Sequence, residues 1–127
     1  MTYLFIAVFA ILGAFARYAQ TLLVQGLVGR GFPFATLSIN VVGSFLMGFL
    51  FFATLERGAL NPELRTGILT GGLGAYTTFS TFSLESLSLI ENGEIGRAVL
   101  YVAASVVLAI GGATLGAWLA RNIGASG

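Results

Sequence analysis

The stretch GGLGAYTTFSTFSLE, residues 71–85, decides how this chain folds. Glycine occupies Gly71, Gly72 and Gly74, and each glycine inside a helix costs about 1 kcal/mol relative to alanine. A glycine-rich break in a helix is predicted there. Hydroxyls follow at Thr77, Thr78, Ser80, Thr81 and Ser83, interleaved with Phe79 and Phe82. If the helix resumes after the break, Phe79 and Phe82 share a face and Thr78 and Thr81 form the neighbouring stripe. Each hydroxyl can donate one hydrogen bond, and an aromatic ring has a positive edge, so the combination suits an anion. Glu85 is the one acid near this second half, fewer than a cation path would want. The plainer alternative is that the rings only pack or meet lipid, and the residues alone leave it open.

The rest of the chain sets the solvent. Its 127 residues are 57% hydrophobic and 9% charged, too few charges to cover a soluble domain of this length. Apolar segments run over residues 3–24, 34–55, 66–90 and 98–120. Each reaches the roughly 20 residues that a helix needs to cross a bilayer. The predicted fold is an all-α membrane protein of four transmembrane helices in a single domain, 1–127. The connections, 25–33, 56–65 and 91–97, hold most of the charges and both prolines. Residues 3–12 followed by Gly13-Ala14-Phe15-Ala16 have the outline of a signal peptide but lack a basic start, so they are read as the first helix.

Composition also excludes function classes. The net charge is +1, from six arginines, no lysine and five glutamates, which proposes no nucleic-acid partner. Cysteine and histidine are absent, removing thiolate and imidazole chemistry. The remaining glutamates, hydroxyls and arginines form no spaced catalytic set, so no enzyme is expected.

Arg57, Arg65 and Arg121 fall on one side of the membrane and Arg30 and Arg97 on the other, with Arg17 toward that second side. So even a split orients the chain weakly. Copies inserted both ways up and paired antiparallel are the expectation. Arg17 lies about 9 Å short of the far side and Asn40 about 9 Å below it, at about 1.5 Å per residue. The two polar groups share a depth, which favours a polar entrance over separate snorkelling and helix glue.

Gly67 with Gly71, and Gly112 with Gly116, have the spacing of close helix packing. Carbonyls freed at a mid-membrane break are potential cation ligands. On the fourth helix Tyr101 and Ser105 are four apart and share a face, with Thr114 further on.

Taken together, Arg17, the run Ile39-Asn40-Val41-Val42-Gly43 and above all residues 71–85 resemble the Fluc, or CrcB, family of fluoride channels over nearly the whole chain. The resemblance implies a dual-topology antiparallel homodimer in the cell membrane, multi-pass, that conducts fluoride passively, excludes chloride and so voids fluoride that enters as the neutral acid. It implies that Phe79 and Phe82 are pore-lining rings and Asn40 the pore asparagine. It also implies a central structural sodium ion (Na+) on the backbone carbonyls of Gly74 and Thr77. Tyr101 and Ser105 resemble members of a polar track on helix 4, and Thr81 and Glu85 sit where the family places pore-side groups. Arg17 raises the anion concentration at the mouth in this reading. One position departs: Ala109 stands where some members carry a second serine, which puts a continuous helix 4 track in doubt.

Two other readings compete with this one. A small multidrug-type exporter would want an acid in helix 1, where this chain has Arg17. The other is a structural or assembly subunit in which the polar stretch only cements helices.

Overall fold

The computed structural model describes residues 1–125, which are helical and turn structure with no strand among them. Helix α1 spans Thr2–Val28 and stops at Gly29, whose φ of 79° suits glycine. Helix α2, Phe34–Arg57, starts directly after Pro33, which cannot continue a helix from its N-terminal side, and ends on left-handed Gly58. Asn61 caps α3, Pro62–Thr66, by accepting a hydrogen bond from the Leu64 amide at 2.8 Å, with Pro62 in the first turn.

The third span differs from expectation in one respect. The glycines do not break it. Helix α3 runs straight into a π-helical segment, Gly67–Leu73, and then into α4, Gly74–Tyr76, with Gly67 and Gly74 both in ordinary right-handed geometry. The interruption comes later, at Thr77 and Thr78, which are extended (ψ 161° and 114°) before α5 begins at Phe79–Glu91. The physical reason is packing. A Cβ on Gly67 would strike Phe5, and one on Gly71 would strike the backbone of Ile6, so their bare faces let α1 lie against this segment. Contact between two backbones offsets the intrinsic cost of glycine in a helix. Helix α6, Ile95–Ala125, closes the bundle.

Three of these helices, α1, α2 and residues 95–123 of α6, are long and apolar enough to cross a membrane, while the apolar residues 66–90 are divided among shorter helical pieces from α3 to α5. Helices α2 and α6 make the most extensive contact. It is made by glycines again: a Cβ on Gly48 would meet the Ala113 backbone, and one on Gly116 the backbone of Phe45. Buried Ile39, Leu69, Leu73 and Tyr76 form one core cluster, and Leu89, Ala98 and Tyr101 a second. Large apolar side chains such as Phe15, Leu23, Val107 and Trp118 point outward, as lipid-facing surfaces do.

Charges gather at the two ends. Arg65 donates to Thr54 Oγ1 at 2.8 Å and lies over the Phe51 ring, while Arg121 pairs with Glu56 at 3.6 Å and covers the Phe52 ring. At the opposite end Arg97 donates to the Gly31 carbonyl at 3.2 Å and pairs with Glu94.

Candidate functional site

Two consecutive extended residues inside an apolar bundle expose backbone groups that hydrocarbon cannot satisfy. The chain meets that need with one side chain. Asn40 of α2 accepts the Thr78 N–H on Oδ1 at 2.8 Å and donates from Nδ2 to the Thr78 carbonyl at 3.0 Å. Its amide does for Thr78 what a neighbouring strand would do. Thr78 in turn caps α5, accepting the Thr81 amide on its hydroxyl at 3.2 Å and donating to Thr81 Oγ1 at 3.0 Å.

Those diversions leave carbonyls without helical donors. The Thr78 amide would reach Gly74 in a regular helix and the Thr81 amide would reach Thr77, but both go elsewhere. Gly74 lies at the surface of the chain and Thr77 is half-buried. The Thr77 hydroxyl is spent on the Leu73 carbonyl at 2.8 Å. Upstream, Tyr76 donates to Gln20 of α1, and Gln20 donates to Ser38 of α2 at 3.1 Å, which fixes the approach to the break from both sides.

A groove of about 460 Å³ runs beside the break between α2, α5 and α6. Asn40, Thr77, Thr78, Phe79, Phe82 and Ser105 line its upper part. Further along the wall are Ser44, Ala109 and Ala113. The Phe79 and Phe82 rings lie 5.5 Å apart and tilted by 52°, so the two share one face as their spacing predicts. Phe79 is 78% exposed, however, so this chain alone covers little of it. Ser105 is buried and its hydroxyl has no protein partner among the described residues.

A second cavity, of about 450 Å³, holds Arg17 with Thr36, Thr78, Thr81 and Glu85. Arg17 and Asn40 therefore do not meet in one cavity, although they flank the same residue: Thr78 borders both spaces. Thr36 donates its hydroxyl to Glu85 Oε1. Tyr101 is fully buried, with Phe82 at 5.2 Å and Phe32 at 5.7 Å from its ring. Its hydroxyl lies near Thr36 and Glu85 without reaching hydrogen-bond geometry to either. Thus Phe79, Phe82, Asn40 and Ser105 come together in one space, Arg17, Thr81 and Glu85 in the adjoining one, and Tyr101 stands between them. Thr114, by contrast, spends its hydroxyl on the Ile110 carbonyl at 2.8 Å and stays out of both.

Sequence reasoning missed Ser44. The signal was available, since Ser44 follows Asn40 by one helical turn and must share its face. It also missed Gly43. A Cβ there would collide with the Thr77 methyl and press on the Tyr76 ring at 3.2 Å.

Apolar helices of spanning length, charges confined mainly to the two ends, and polar groups facing internal spaces define a multi-pass membrane protein. The family model described as CrcB-like protein, Camphor Resistance (CrcB), matches residues 4–117, and the chain belongs to that family. It is 67% identical over 121 residues to a protein of Acidithiobacillus ferrooxidans named fluoride-specific ion channel FluC, covering 95% of this chain and 97% of that one. A protein of the same name from Geobacter sulfurreducens is 46% identical over 122 residues, covering 96% and 98% of the two chains. One from Thermus thermophilus is 46% identical over 114 residues, 90% of each.

Proposed function

We propose that this chain is a passive fluoride-selective channel of the cell membrane that lets fluoride leave the cell, and so confers resistance to it. The observation that carries the reading is the groove at the break. Its polar lining is an amide, hydroxyls and the rings of Phe79 and Phe82, with no formal charge along it. Fluoride is small and strongly hydrated, so a path must offer donors for the water it strips away, yet release the ion again. A lining of fixed cations would hold it too firmly. Neutral donors give intermediate attraction, and Arg17 in the adjoining cavity draws anions toward the entrance.

The functional unit in this reading is two antiparallel copies, each a single four-helix domain of residues 1–127. Exposure of Phe79 supports it, since a second copy would cover the ring and complete the groove. Phe79, Phe82, Asn40, Thr81, Ser105, Tyr101, Glu85 and Arg17 are the pathway residues. Of the sodium site, the carbonyls of Gly74 and Thr77 are the proposed holders. They fit, because their helical donors are diverted to Asn40 and Thr78 and carbonyl oxygens suit a hard cation. A bound cation would tie two copies together at their breaks and offset the charge of passing anions. The chemistry is transport, not catalysis.

The test is halide efflux from liposomes containing the purified protein, with Phe79→Ile and Asn40→Asp beside the wild type. Fast fluoride loss, little chloride loss and severe impairment in both variants are expected. Equal rates for the two halides, or indifference to both substitutions, would contradict the assignment.

A further inference from the structure

We propose that Ser44 is a pathway residue, supplying from α2 the hydroxyl that α6 lacks below Ser105. This rests on the reading of the groove as an ion path. Going along that groove from Ser105, α6 offers Ala109 one turn on and Ala113 a turn further. Neither can donate a hydrogen bond. An anion moving past Ser105 would lose its donors on that wall and pay the desolvation penalty uncompensated.

The adjoining wall, formed by α2, carries the donor. Ser44 lies on α2 one turn beyond Asn40 and lines the same groove as Ser105, Ala109 and Ala113. A serine in a membrane helix ordinarily donates to the carbonyl one turn back. Several hydroxyls here do so: Thr54 to Leu50, Ser83 to Phe79, Ser86 to Phe82 and Thr114 to Ile110. Ser44 does not; its hydroxyl has no hydrogen bond among the described residues, like that of Ser105. Two uncommitted hydroxyls on adjoining walls of one groove give a staggered relay: Asn40 and Ser105, then Ser44. The polar track changes helices instead of ending.

The experiment measures fluoride efflux from liposomes for wild type, Ser44→Ala, and Ser44→Ala combined with Ala109→Ser, with gel filtration showing that each variant keeps the wild-type assembly. Loss of one donor slows efflux by about fivefold to tenfold, the effect of roughly one hydrogen bond. Ala109→Ser, which places a hydroxyl on α6 one turn beyond Ser105 in the same groove, restores most of the rate. An unchanged rate in Ser44→Ala, or a slow rate that Ala109→Ser leaves slow in an intact assembly, overturns the proposal. A wild type that carries no fluoride at all overturns the channel reading itself, which separates the two failures.

Discussion

Asn40 is the residue on which most of the site depends, because one side chain satisfies both backbone groups of Thr78 at the interruption of the third span. Removing it in Asn40→Ala leaves a donor and an acceptor unpaired in a low-dielectric interior, at about 1–3 kcal/mol each. A large drop in resistance to denaturation in detergent, together with loss of fluoride flux, is expected; a variant as stable as wild type would contradict the clamp. Tyr101 should behave in the opposite way. Its buried hydroxyl makes no hydrogen bond that Tyr101→Phe would break, so that variant should unfold no earlier than wild type while conducting fluoride more slowly. Early unfolding with normal flux would assign the hydroxyl to stability instead. Residue counting along two helices puts Arg17 and Asn40 at one depth, and in the structure each lines a cavity that Thr78 borders. That they look into different spaces was not legible in the sequence, because rotation about each helix axis depends on packing against its neighbours.

Among the elements, the third span shows where sequence reading succeeds and where it stops. Its hydroxyl and ring stripe was legible, since spacing alone puts Phe79 and Phe82 on one face. The place of the interruption was not. Glycine propensity points to Gly71–Gly74 as the weak point, yet α1 packs closely on this segment and holds it helical as far as Tyr76. Tertiary contact overrode local preference. Gly43 on α2 carries a parallel lesson. The Thr77 methyl touches it, the Thr77 hydroxyl is tied to Leu73 and Tyr76 is tied to Gln20, so neither neighbour can swing aside freely. Gly43→Ala therefore displaces the residues just before the break, an overpacking of about 1–3 kcal/mol. Lower thermal stability and reduced fluoride efflux are expected, with Gly111→Ala, where a Cβ meets open space, serving as the silent control. Equal behaviour of the two variants would show that the contact at Gly43 does not position the break.

At the scale of the whole molecule, the membrane class was legible at once from hydropathy, and the boundaries of α2 nearly so, while α1 and α6 extend several residues beyond the apolar stretches. For the proposed pairing of copies the sequence offers one indirect pointer, the even split of arginines between the two ends. A reporter active on one side of the membrane only, fused at the C-terminus, should therefore give signal on both sides at comparable levels; a single exclusive orientation would remove the antiparallel pair. Placing the protein in a planar bilayer with unequal fluoride and equal chloride on its two sides, and reading the voltage at which current reverses, tests most directly whether neutral donors select fluoride. Sustained current reversing close to the equilibrium potential of fluoride is the expected result. Reversal near zero, with chloride carrying current as readily, would contradict it.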